Sequence, residues 1–81
     1  MNNLLNCTYS SQAESYLKKQ TKRISDRIRK AVNALPAGDV KKLKSIKNGY
    51  RLRVGDARVL FEKDGNNLHV VKIDNRGDVY K

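Results

Sequence analysis

The run Gly49-Tyr50-Arg51-Leu52-Arg53-Val54-Gly55-Asp56-Ala57-Arg58-Val59-Leu60-Phe61-Glu62 constrains the fold more than any other stretch of the chain. Two segments, Tyr50 to Val54 and Ala57 to Glu62, flank Gly55-Asp56. A two-residue linker with glycine first predicts a hairpin closed by a type II′ turn, whose twist matches that of the strands. Arg53 then faces Arg58 across the ladder, and the period of two puts Arg51 on the same side. Like charges opposed in a sheet are unfavourable, so three guanidinium groups on one surface weaken the fold unless an anion sits among them.

At 81 residues the chain is read as one domain, 1–81. Its core should be thin, since a domain this small buries only about 60% of the surface its unfolded chain exposes. Eighteen Lys plus Arg against eight Asp plus Glu give a formal charge of +10. Such a charge attracts polyanions over a Debye length of roughly 8–10 Å, nucleic acid first, then an acidic protein segment, then an anionic membrane surface. The single cysteine, Cys7, has no partner for an internal disulfide and no clustered Cys or His for a metal site, which fits a reducing cytoplasm and no metal cofactor. No signal peptide pattern and no run near the ~20 apolar residues of a membrane span is present. Internal repeats and low-complexity tracts are also missing.

In chain order, Leu4 to Tyr9 reads as a short first strand. Ser11-Gln12-Ala13-Glu14 has the S-x-x-E form of a capping box and predicts a helix start, with Ala13, Tyr16 and Leu17 on one face. Thr21 interrupts this helix or caps a second one. Beyond it Ile24, Ile28, Ala31, Val32 and Leu35 form an apolar stripe, against a charged remainder that is either a solvated surface or a phosphate-tracking face. Leu35-Pro36-Ala37-Gly38 ends it. Val40, Leu43 and Ile46 are spaced by three, which predicts a helical turn or an ordered loop, and Lys41, Lys42, Lys44 and Lys47 there are either RNA-backbone contacts or a soluble rim. After the hairpin, a four-residue turn Asp64 to Asn67 leads to a strand Leu68 to Ile73.

These elements make an α+β layer: two N-terminal helices packed on a small antiparallel sheet of three to four strands. Tyr50, Leu52, Val54, Val59, Phe61, Leu68 and Val70 should face the helices, and Arg51, Arg53 and Arg58 the other way, with Leu60 and Val71. Strict alternation puts Arg76 on the wrong face to join them, so a break is expected near Asp74 or Asn75, and Gly77 marks a further bend. His69 should share the arginine face at its far end, as a structural or exposed residue rather than a catalytic one. Paired carboxylates, an activated nucleophile and a Gly-rich phosphate loop are not evident. A guanidinium cluster with Tyr80 suits RNA cleavage by the neighbouring 2′-hydroxyl, whose anionic pentavalent transition state is stabilised by preorganised cations without a metal. The alternative is a set of solvent-facing arginines that bind an acidic partner.

The blocks Lys42-Leu43-Lys44-Ser45-Ile46, Gly49 to Phe61, and Asn75-Arg76-Gly77-Asp78-Val79-Tyr80 together resemble the RelE/ParE toxin superfamily of bacterial toxin–antitoxin systems. The resemblance covers residues 41 to 80 and implies two helices on a small antiparallel sheet. In its RelE branch it implies metal-independent cleavage of messenger RNA in the ribosomal A site, and neutralisation by a RelB-like antitoxin. By position it assigns Arg51 and Arg53 to the flanks of the scissile phosphate, Arg58 to phosphate stabilisation, Arg76 to the basic place of the C-terminal motif and Tyr80 to stacking on the nucleotide. Arg51 stands where the best-studied members have a lysine proposed as general base, and Asn75 where many have a histidine. The same resemblance leaves open a ParE-like inhibitor of DNA gyrase, and a catalytically weak relative acting mainly through antitoxin binding.

Overall fold

The computed structural model describes residues 6–44 and 48–75. Its elements are β1 (Asn6–Tyr9), α1 (Ser11–Lys19), α2 (Lys22–Asn33), β2 (Asp39–Lys42), β3 (Gly49–Val54), β4 (Ala57–Asp64) and β5 (Asn67–Asn75). They form one five-stranded sheet in the order β1-β5-β4-β3-β2. The α+β layer is as expected, but the expected three or four antiparallel strands become five in a mixed sheet. β1 precedes the helices and pairs parallel to β5, while the other neighbours are antiparallel. The expected first strand is present as β1 at one edge of the sheet; the strand that alternation did not reveal is β2 at the other edge, four residues long with one apolar side chain.

β2 replaces the helical turn or loop expected from Val40 onward. Val40 lies opposite Leu52 and packs against the core, Lys41 lies opposite Arg51, and Lys42 opposite Tyr50. Its one inward residue gives no period to read, and its lysines leave an edge that other chains pair with poorly. Leu4, Leu5, Ile46, Lys47, Arg76, Gly77 and Tyr80 lie outside the described residues.

The helices begin where side-chain oxygens take up free amides. Ser10, not Ser11, caps α1: its Oγ accepts from Ala13 N at 3.1 Å and donates to the Val71 carbonyl at 2.6 Å. The expected capping box does not form, since Ala13 now stands at the third helical position, and Glu14 instead faces Arg29 at 3.6 Å. Thr21 caps α2 by accepting from Ile24 N at 3.3 Å. Ala13 and Leu17 from α1, with Ile28, Val32 and Leu35 from the α2 stripe, are buried against Leu52, Val54, Ala57, Val59, Phe61, Leu68, Val70 and Ile73 of the sheet. Ile24 departs from expectation: 42% exposed, it only lines a rim hollow beside Tyr16, Arg27 and Asn75. Tyr50 is half-buried and stacks on Phe61, centroids 5.4 Å apart. The Leu35–Pro36 peptide is cis.

Both hairpins turn on two residues. Val54 pairs with Ala57, Gly55 has φ +60° and Asp56 is not among the positive-φ residues, as a II′ turn requires. Asp64 pairs with Asn67, so the four-residue turn tightens to Gly65-Asn66 without changing register.

β5 does not alternate throughout. Phe61 lies opposite Val70 and Leu60 opposite Lys72, so Val71 is an extra residue, 39% exposed. The bulge lies where β1 ends and the start of α1 takes over the β5 edge. Gln12 replaces a strand partner there, donating from Nε2 to the Ile73 carbonyl and accepting from Ile73 N at Oε1, both at 3.0 Å. Tyr16 Oη donates to Asn75 Oδ1 farther along. The shift turns Ile73 into the core and Lys72 and Asp74 outward. A parity break was expected near Asp74 or Asn75; it occurs at Val71-Lys72.

Candidate functional site

The face of the sheet away from the helices is built in cross-strand rows. One row runs Asp74–Arg58–Arg53–Asp39 over β5, β4, β3 and β2. The next runs Lys72–Leu60–Arg51–Lys41. Arg51, Arg53 and Arg58 thus share one surface, with Arg53 directly opposite Arg58. Arg51 is well enclosed: its side chain is 12% exposed and its Nη2 lies 3.8 Å from Asp39 Oδ1.

The two aspartates that bracket the arginine row were not expected. Register sets Asp39 beside Arg53 and Asp74 beside Arg58, so each end of the row carries a carboxylate. Asp74 Oδ2 lies 3.9 Å from Lys72 Nζ, and Asp74 Oδ1 is buried and accepts no hydrogen bond among the described residues. The sequence signal was faint, because Asp74 reaches this face only through the bulge and Asp39 only through an edge strand that resembled a loop.

The four lysines expected to bind RNA are not brought together. Lys41 joins the arginine face, Lys42 has the parity of Val40 and points to the other side, and Lys44 is exposed beyond the strand. Arg76 and Tyr80, like Lys47, lie outside the described residues. His69 shares the outer face, as parity predicts, opposite Glu62 and hydrogen-bonded through Nδ1 to Thr8 Oγ1 at 2.7 Å. Among the described residues no group of three His, Cys, Asp or Glu side chains is placed to hold a metal ion, and no helix is long and apolar enough to cross a membrane. Burial pushes the Cys7 thiol up from its ordinary value, which makes it a poorer nucleophile at neutral pH.

The face therefore offers fixed hydrogen-bond donors with delocalised positive charge, backed by carboxylates and open to solvent on one side. Such a surface suits a phosphodiester backbone, each guanidinium fork matching two phosphate oxygens.

No curated protein sequence matches the chain. Among solved structures it is similar to a chain of the RelB–RelE antitoxin–toxin complex of Methanococcus jannaschii, at 24% identity and a TM-score of 0.72, covering 90% of this chain and 94% of that one. It is similar to the YoeB dimer of Staphylococcus aureus at 25% identity and a TM-score of 0.66, covering 84% and 92%. A chain of the Escherichia coli DinJ–YafQ toxin–antitoxin complex matches at 17% identity and a TM-score of 0.73, covering 95% and 98%. The family model described as the ParE toxin of type II toxin–antitoxin systems matches residues 8–80. With nearly its whole length matched by that model and its fold shared with RelE, YoeB and YafQ, the chain belongs to the RelE/ParE-like toxin superfamily of type II toxin–antitoxin systems.

Proposed function

We propose that this toxin is an endoribonuclease that cuts messenger RNA in the ribosomal A site without a metal, and that a RelB-like antitoxin restrains it. The observation that carries this reading is the convergence of Arg51, Arg53 and Arg58 on one open sheet face, with Asp39 and Asp74 holding the row from both ends. RNA supplies its own nucleophile, the 2′-hydroxyl, so the protein must fix the backbone in line and stabilise charge that grows on phosphorus. Guanidinium forks on the non-bridging oxygens do the second task, and the Asp39 contact restricts Arg51 before substrate arrives. Arginine is a poor proton acceptor. Asp74 stands opposite Arg58 at the end of the row, where its carboxylate orients that guanidinium, and the geometry of the RNA itself serves the transfer of the 2′-hydroxyl proton. Arg76 and Tyr80 complete the site by resemblance, as a further cation and a stacking platform. The resumed alternation of Lys72 and Asp74 is the parity that Arg76 needs. Lys41 extends the positive surface on this face, with Lys44 and Lys47 as outlying contacts to RNA, whereas Lys42 points to the other side.

Antitoxin partners are named for the RelE and YafQ structures, RelB and DinJ. For this chain an acidic antitoxin segment laid across the same arginines would both neutralise and block them. A cytoplasmic site of action follows from the ribosomal target.

The test is induced expression followed by mapping of transcript ends, with cleavage on programmed ribosomes for the native chain, Arg58→Ala, Asp74→Asn and Tyr80→Ala. Each substitution should slow cutting by at least tenfold. Absence of cutting by the native chain, or indifference to all three changes, sinks the proposal. The match to a ParE family model favours one second reading, a gyrase inhibitor in which the same face contacts protein. Inhibited supercoiling with intact transcripts would establish that reading instead.

A further inference from the structure

The arginines occupy only one end of the outer sheet face. At the other end the rows change character: Thr8, His69 and Glu62 lie side by side over β1, β5 and β4, and Gly49 of β3 closes the row without a side chain. The next row holds Asn67 opposite Asp64. Over this end the surface sinks into a hollow of about 420 Å³ lined by Thr8, His69, Glu62, Asp64 and Asn67, with Lys63 beside them. Volumes of this order accept small ligands.

From this geometry we infer that the hollow between Thr8, His69 and Glu62 is a nucleobase subsite that selects guanine in the RNA strand held by the arginines. The inference rests on the nuclease reading for its consequence, but the chemistry of the hollow stands on its own. Two carboxylates, Glu62 and Asp64, outnumber the one ammonium, Lys63, whose Nζ donates to the Gly65 carbonyl at 2.8 Å, so the hollow is net negative and does not extend the backbone track. What carboxylates and amides accept is the donor edge of a base. On the Watson–Crick edge of guanine, N1–H and N2–H₂ present two parallel donors to a single carboxylate, the same fork that makes arginine–carboxylate pairs strong. Adenine and cytosine each place one such donor beside an acceptor nitrogen, and uracil places its one donor between two acceptor oxygens that would face Glu62 and Asp64.

Single-stranded RNA exposes this edge, which is how most sequence-specific readers of RNA gain access. Thr8 holds the His69 ring, which lines the hollow, through Nδ1 at 2.7 Å. Along β4, Arg58 and Glu62 are four residues apart, about 13 Å at ~3.3 Å per residue, so the base read here belongs to the same strand as the phosphate gripped there. A single sheet face then divides the two tasks, guanidiniums for the backbone and carboxylate with amides for sequence.

Two measurements test this on the full chain. In the first, amide resonances are followed while 5′-GMP, 5′-AMP, 5′-CMP or 5′-UMP is added. The expected result is that GMP shifts Thr8, Glu62 and His69, that UMP leaves them in place, and that Glu62→Gln and Thr8→Val each weaken the GMP response at least tenfold with the rest of the spectrum unchanged. Shifts confined to the arginine rows, equal responses to GMP and UMP, or a response only to an arginine-rich peptide would overturn the inference, the last in favour of a protein partner. In the second, transcript ends are mapped for the native chain and Glu62→Gln. Guanine should be enriched at one fixed position beside the cut and the enrichment should vanish in the variant; an unchanged pattern overturns it. If the native chain cuts nothing, the nuclease reading falls, and the nucleotide titration alone decides whether the subsite exists.

Discussion

Gln12 makes the sharpest test of how this sheet is held, because local propensity and tertiary contact predict opposite signs for its replacement. It sits in the first turn of α1, where alanine is the better helix former by a few tenths of a kcal/mol. Its side chain, however, both donates to and accepts from the backbone of Ile73 at 3.0 Å, doing for β5 what a neighbouring strand would do. Two such bonds contribute about 2 kcal/mol net at ~1 kcal/mol each. Subtracting the helix gain leaves Gln12→Ala destabilised by about 1.5 kcal/mol, roughly 6–12 °C in Tm for a domain of this size. Gln12→Leu should be worse, since an apolar cover denies water to both Ile73 groups. Urea unfolding with an unchanged slope reads the difference, and hydrogen exchange at the Ile73 amide should rise in parallel. A Gln12→Ala variant as stable as the native chain, or more so, would refute the view that α1 completes the β5 edge.

Four further outcomes follow from the same structure. Arg53→Thr removes a like-charge cross-strand pair, so it should raise stability by up to about 1 kcal/mol while cutting RNA cleavage; a loss of stability would mean that the pair is already neutralised. Gly55→Ala should cost about 1–3 kcal/mol by urea denaturation, because φ is +60° and the new Cβ meets Arg27 Nη1 at 3.2 Å; Gly65→Ala, with nothing within 4 Å, should cost less. Deleting Val71 should leave Lys72 opposite Leu60 and Ile73 in the core, so the variant should fold with a native-like spectrum, whereas unfolding would show the bulge to be required for the register. Burial, then the charges of Asp74 and Asp56, raise the Tyr16 phenol above its ordinary value. Its contribution is therefore fully present below pH ~10 and lost as pH climbs through the raised value, so the urea midpoint of Tyr16→Phe should fall less steeply than that of the native chain above pH 10.

The central hairpin was legible residue by residue. Gly55-Asp56 is a two-residue turn, Arg53 does face Arg58, and the inward list from Tyr50 to Val70 packs as expected. These features depend on neighbours in sequence, and a period of two carries them. Thr21 as a cap and the α2 stripe from Ile28 to Leu35 were legible for the same reason. The first strand was legible too, as Leu4 to Tyr9, and Asn6–Tyr9 pairs with β5; the other edge was not, since Asp39–Lys42 is a strand only because β3 offers it unpaired backbone groups. Ser11 looked like the cap by spacing to Glu14, but Ser10 wins because its hydroxyl also reaches the Val71 carbonyl, a partner 61 residues away.

The sequence by itself determined the class, the hairpin and the three arginines on one face, since alternation and turn chemistry are local properties of the chain. Only the tertiary structure decided what surrounds them. The handover of the β5 edge from β1 to α1 accompanies the Val71 bulge, which brings Asp74 opposite Arg58. The pairing of β2 with β3 sets Asp39 opposite Arg53, and the parallel entry of β1 sets Thr8 beside His69. Each of these depends on which distant backbone has a free hydrogen-bonding group to satisfy, and no local pattern carries that information.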